Sequence, residues 1–122
     1  MIYGVGVDIV SVTRMEKACI KESFLKHTYS CKEIELYRGD ISKLSANFAA
    51  KEAFSKALGT GVRGFDLKDV QLFRDELGKP YYCFAGKALD IIETKKLISH
   101  VSVSDEGDTV IVFAILEKII EQ

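Results

Sequence analysis

The chain opens with an apolar, β-branched run, IYGVGVDIV (2–10), broken only by one acid, Asp8. Such a run predicts a strand. Apolar positions then recur at helical spacing through RMEKACIKESFLKH (14–27), which predicts a helix capped by Ser11 or Thr13. SCKEIELYRG (30–39) carries a capping box: Ser30 is followed three positions later by Glu33, and Gly39 ends the helix. SKLSANFAAKEAFSKALG (42–59) is the longest helical pattern. At 100° per residue, Ala50, Phe54, Ala57 and Leu58 form its core stripe. Glu52 and Lys56 fall roughly opposite, with Phe48 and Ser55 beside them. Gly59, Gly61 and Gly64 then interrupt the chain.

KDVQLFRD and KPYYCFAG read as two strands joined through ELGK, with Gly78 in the turn. KALDIIETKKL is helical, and HVSVSDEGDTVIVFAILEKI is a hairpin turning at Asp105-Glu106-Gly107-Asp108. The order is strand, helices, strand pair, helix, strand pair, without linker, repeat or low-complexity segment. It predicts one α+β domain over residues 1–122, with a long central helix packed on a largely antiparallel sheet.

Composition changes this picture little. Apolar residues make up 48 % and charged residues 29 %, a globular mixture. At 122 residues the domain buries only part of its apolar surface, so association with other copies would help stabilise it. The formal net charge of −1 argues against a nucleic-acid binder, so any basic docking region is local. The N-terminus lacks the basic region and cleavage pattern of a secretory signal. No run reaches the roughly 18 apolar residues of a membrane span. Cys19, Cys31 and Cys83 are odd in number and widely spaced, which predicts small buried thiols in a reducing cytoplasm.

Two features carry chemistry. Glu52 and Lys56, at i and i+4, make either an exposed ion pair or a grip on a charged ligand, and the helix alone leaves both open. Asp8 is a lone acid in an apolar strand, and buried acids are costly unless paired or bound to a cation. It is either a strand-end cap or a ligand, and glycines 4 and 6 allow close approach by backbone or ligand. Two carboxylates on different elements suit Mg²⁺, which takes one or two protein carboxylates and then water and phosphate oxygens.

GVGVDIV, FAAKEAFSKALGTG, GKPYY and HVSVS occur in this order along the chain. Together they resemble the holo-acyl carrier protein synthases, the small bacterial type of 4′-phosphopantetheinyl transferase, over essentially the whole length. The resemblance implies transfer of the 4′-phosphopantetheine arm of coenzyme A to a serine of apo-acyl carrier protein, with release of adenosine 3′,5′-bisphosphate. It implies Asp8 and Glu52 as Mg²⁺ ligands and Lys56 as a catalytic group on the phosphate, favoured for charge stabilisation over proton removal. A metal-bound water is the other candidate base. It further implies that Lys43, Ser55, Gly59, Thr60, Pro80 and His100 contact the coenzyme A nucleotide; the residues alone also allow Gly59 as a helix C-cap, Pro80 as an edge-strand proline and His100 as a strand-start histidine held by backbone.

Arg14, Lys17 and Lys21, at i, i+3 and i+7, form a basic face that would dock an acidic carrier protein, unless it is simply a solvated helix face. A homotrimer with sites between subunits is also implied. The alternatives are a non-catalytic carrier-binding module and a Mg²⁺-dependent nucleotide hydrolase. Two positions depart from many relatives: Asn47 stands where they have arginine, and Asp105 where they have a second histidine. Lys43, one turn before Asn47, is the candidate substitute for the arginine's phosphate contact.

Overall fold

A computed structural model describes residues 1–120. Strand β1 (Ile2–Ser11) leads into helices α1 (Val12–Cys19), α2 (Glu22–Thr28), α3 (Cys31–Tyr37) and the long α4 (Ile41–Leu58). A hairpin of β2 (Val70–Arg74) and β3 (Pro80–Phe84) follows, then α5 (Gly86–Lys95) and a second hairpin of β4 (Leu97–Glu106) and β5 (Thr109–Lys118). The strands form two antiparallel sheets, ordered β1-β5-β4 and β2-β3. The expected α+β class and central helix hold, although the sheet is divided in two.

Two-residue periodicity decides which face of β1 and β5 meets α4. Val110, Val112, Ala114 and Leu116 are buried beneath the helix, while Ile111 and Phe113 face outward. On β1 the inward positions are Gly4, Gly6 and Asp8. A Cβ on Gly4 would lie 1.9 Å from the Ala57 carbonyl oxygen, and one on Gly6 2.0 Å from that of Ala53. The two glycines therefore admit the backbone of α4, whose small Ala53 and Ala57 face them. That contact sets the height of the helix above Asp8.

The helix is buried well beyond its predicted stripe, because α1–α3 and the β2-β3 sheet cover the positions beside it, while the Glu52 and Lys56 side stays partly open. Asn47, Lys51 and Ser55 are buried there along with the alanines. Lys51 donates to Glu33 Oε1 at 2.6 Å, Val70 O at 2.6 Å and Leu67 O at 3.1 Å. Glu33 also accepts from Asn47 Nδ2 at 2.7 Å. The predicted capping box on α3 is present, so Glu33 both caps its own helix and anchors α4.

Three expectations are corrected. The single helix predicted over 14–27 divides at Ile20–Lys21, where Lys21 is extended and begins α2. No glycine or proline marks the break; docking imposes it, since Met15 of α1 and Leu25 of α2 are both buried. The cysteines are free thiols, but Cys31 and Cys83 are exposed and Cys19 is half-buried. On β3 the alternation turns Tyr82 inward and therefore Cys83 outward. The last turn narrows to Gly107-Asp108, with Gly107 at φ 59°, because both strands extend further than their β-branched runs.

Candidate functional site

Asp8 and Glu52 line one cleft of about 390 Å³ between β1, α1, α2 and α4. Met15, Phe24 and Phe48 supply its apolar wall, and Arg14 stands at its edge. Asp8 reaches the cleft because the inward side of β1 carries it one pleat past Gly6. Glu52 reaches it from a half-buried position on α4. Burial, then the charge of Asp8, push the Glu52 carboxyl above the usual glutamate value, and Lys56 partly offsets this. The two acids are thus close enough to repel.

Lys56 does not pair with Glu52, the first of the two readings that the i, i+4 spacing leaves open. It reaches across to β1 and donates to Val7 O at 2.9 Å and to Asp8 Oδ1 at 3.1 Å. Its side chain remains 55 % exposed. Among the described residues nothing donates a hydrogen bond to the Glu52 carboxylate. Two repelling oxygen donors on rigid elements, one with no protein donor, fit a hard divalent cation with room for further oxygen ligands. No cluster of three or more acidic, histidine or cysteine side chains exists among the described residues. Water and ligand oxygens would therefore complete such a shell.

The remaining predicted contacts divide. Lys43, Pro80 and Asp105 line a second cleft of about 480 Å³ at the start of α4, together with Arg74. Gly59 ends α4 in the left-handed conformation, at φ 88°, and Thr60 is exposed beside it. Ser55 is corrected: it is 2 % exposed and its hydroxyl donates to Glu52 O, so it braces the helix from inside. His100 lies on the outward face of β4, where it pairs with Glu117 at 3.0 Å, on the opposite side of the sheet from Asp8. Within one chain it does not meet the acids. Asn47 is fully buried against Glu33 and Leu72 O, so it offers no phosphate contact in place of arginine.

Of the basic face, Arg14 and Lys17 are exposed on α1, whereas Lys21 belongs to the break before α2. Periodicity missed Arg74, whose Nη1 is buried without a partner and whose guanidinium stands 4.7 Å from the Tyr37 ring centroid. It sits at a strand end beside a turn, and no spacing rule singles it out.

Comparison with known proteins decides the family. The model of the 4′-phosphopantetheinyl transferase superfamily matches residues 4–112. The chain belongs to that superfamily. It is 40 % identical to the holo-[acyl-carrier-protein] synthase of Clostridium beijerinckii, across 98 % of this chain and 100 % of the relative. The Neisseria meningitidis synthase structure superposes with a TM-score of 0.89 at 34 % identity, covering 97 % of this transferase and 100 % of that chain. The Bacillus anthracis synthase, solved in complex with coenzyme A (3′,5′-ADP), superposes with a TM-score of 0.79 at 29 % identity, covering 98 % and 99 %. In this transferase the strand acid and the helix acid line one cleft, and the helix lysine bonds to the strand acid. No described helix is long and apolar enough to cross a membrane.

Proposed function

We propose that this transferase moves the 4′-phosphopantetheine arm of coenzyme A onto a serine of apo-acyl carrier protein, with Mg²⁺, releasing adenosine 3′,5′-bisphosphate. The observation that carries the reading is the meeting of Asp8 and Glu52 in one cleft, with Lys56 bonded to Asp8. The relatives named as carrier-protein synthases and the neighbour bound to coenzyme A support the two substrates.

Asp8 and Glu52 would hold the Mg²⁺, which when bound neutralises pyrophosphate charge and polarises the phosphorus under attack. Lys56 has three N–H donors, two of them directed at Val7 O and Asp8, which leaves one for a phosphate oxygen. Fixed by β1, that ammonium stabilises charge developing as the serine Oγ–phosphorus bond forms and the bond to the leaving bisphosphate breaks. The apolar wall of Met15, Phe24 and Phe48 excludes water from this side. Gly59 and Thr60, at the open end of α4, would meet the nucleotide. Lys43, Pro80 and Arg74 would meet it in the second cleft, where the lysine and Arg74 supply the positive charge that Asn47 does not. Arg14 and Lys17 give the acidic carrier a docking edge beside the reacting atoms.

A homotrimer is part of the proposal. Val5, Val7 and Ile9 of β1 with Ile111 and Phe113 of β5 form an outward apolar face, each 40 % exposed or more. Such a contiguous patch marks an interface. Burying it between copies would bring His100 of one copy towards another, which is how that residue would reach a nucleotide. Sedimentation at the 13.6 kDa monomer mass rejects the trimer. The setting proposed is the cytoplasm, where three free thiols stay reduced.

The test is direct. Apo-carrier incubated with coenzyme A and Mg²⁺ gains the mass of one phosphopantetheine group, and chelation abolishes the gain. No mass gain on a carrier that a related synthase modifies overturns the reading. A non-catalytic carrier-binding module would bind the carrier and give no mass gain, but it gives no reason for Asp8 and Glu52 to meet in one cleft with Lys56 bonded to Asp8.

A further inference from the structure

Helix α1 is short, buries only Met15 and has no acidic residue in its first turn. Its N-terminal amides are nonetheless all matched, and the partner comes from the far end of the chain. Val12 N donates to the main-chain oxygen of Asp108 at 2.8 Å. Thr13 N and Thr13 Oγ1 both donate to Asp108 Oδ1, at 2.9 and 2.7 Å. Ser11 Oγ donates to Asp108 Oδ2 at 2.6 Å and in turn accepts from Arg14 N at 3.3 Å. One carboxylate in the β4–β5 turn thereby completes the cap that Ser11 begins, taking the Thr13 amide and orienting the serine that takes the Arg14 amide. These hydrogen bonds hold the Asp108 carboxyl below the usual aspartate range.

We infer that Asp108 is a positioning residue that fixes α1 at the cleft, so that Arg14 stands where the carrier approaches. This rests on the docking role proposed above for Arg14. The geometry makes the turn and the cleft one unit. β1 ends at Ser11, three residues after Asp8, and α1 starts there, so the direction of α1 is set at its first turn. Met15 is its only fully buried side chain, with Val12 and Cys19 packed at its two ends, so the cap at its first turn is the polar contact that fixes its direction. Asp108 bonds to neither Asp8 nor Glu52; its partners are Ser11 at the end of β1 and the first turn of α1, so its action on the reaction passes through that junction. The turn itself tolerates change at this position, because Gly107 takes the left-handed conformation and Asp108 does not.

The experiment compares Asp108→Ala and Asp108→Asn in the full chain, with two readouts. Amide hydrogen exchange at Thr13 and Arg14 accelerates about fivefold in the alanine variant, the factor of an ordinary helix cap, while exchange in α4 stays unchanged. KM for apo-carrier rises several-fold, while KM for coenzyme A and kcat hold. Asn restores both, because its Oδ1 still accepts from Thr13 N. A general loss of stability would instead accelerate exchange throughout α4 and leave the carrier KM alone. Unchanged exchange at Thr13 overturns the clamp, and a faster exchange with unchanged carrier KM overturns its role in positioning. If the wild-type chain transfers nothing to any carrier, the proposed function fails, while the exchange readout still decides the clamp.

Discussion

Helix α4 carries two lysine–acid pairs, centred on residues 51 and 56, in opposite surroundings. Lys51 and Glu33 are 0 % exposed, and the lysine's three donors meet three acceptors. Lys56 and Asp8 are 55 % and 16 % exposed, and a second acid, Glu52, stands beside them without a donor. Burial pulls the Lys51 ammonium below the usual lysine value, with Glu33 opposing. The dry pair has every lysine donor matched and fixes how α3, α4 and β2 meet, although Asn47 Oδ1 beside it is buried without a partner. The wet pair is left open, with the extra negative charge of Glu52 facing a cleft that Arg14 borders. Two similar contacts on one helix thus serve different ends, and satisfaction of donors and acceptors distinguishes them better than distance does.

The largest effect is expected from Lys51→Met. It leaves the Glu33 carboxylate buried without its cation, which costs about 3–5 kcal/mol of folding stability. Chemical denaturation measures this, and Glu33→Gln combined with Lys51→Met recovers part of the loss. Turnover per folded molecule stays near wild type. A small shift in the midpoint would erase the distinction between the pairs.

Lys56→Ala gives the reverse pattern. Stability changes by less than about 1 kcal/mol, since the pair is largely exposed. Carrier modification falls about a hundredfold, the scale of removing one charge-stabilising donor. Mass spectrometry of the carrier over time measures the rate. A variant of Lys56 that unfolds rather than slows would make the wet pair structural after all.

Gly6→Ala tests what links the two. Its Cβ would meet the Ala53 carbonyl at 2.0 Å, so β1 or α4 has to shift. Overpacking of this kind costs about 1–3 kcal/mol. Because Asp8 is two residues further along β1, turnover should fall as well, beyond the loss of folded protein. Stability lost with turnover kept would show that Asp8 is held by other contacts.

Much of this was legible in the sequence. The capping box of α3, the glycine that ends α4, the Gly78 turn and the strand runs are local signals, and local hydrogen bonds decide them. Asp8 stood out because an acid inside an apolar strand has to be explained. What escaped was tertiary. The 3.6-residue period identifies one buried stripe on α4, yet Asn47, Lys51 and Ser55 are buried because other elements close over the helix. Lys51 carried no signal in the periodicity and is among the most buried residues, since its partner Glu33 is read locally only as half of a cap. The division of α1 from α2 carries no local mark. The clamp by Asp108 joins residues 95 apart in sequence, beyond any window of periodicity.

The smallest expected effect is also the sharpest test of the contrast. Glu52 has its carboxyl held above the ordinary value by burial and by Asp8, so its folded-state charge is disfavoured. For a raised acid, the stability contribution is full below the unfolded value and declines as pH rises through the folded value. Glu52→Gln should therefore stabilise the chain slightly at neutral pH without divalent cations, by a few tenths of a kcal/mol given the screening by water. The gain should vanish as pH falls below the ordinary glutamate value. Thermal unfolding of both forms across that range, in chelator, measures it. The same substitution in the dry pair, Glu33→Gln, should destabilise at neutral pH, because there the charge is matched by Lys51. Opposite signs at the two glutamates would establish that the fold tolerates Glu52 at its own expense, as expected of a residue kept for a ligand. Equal signs would mean that both acids are structural.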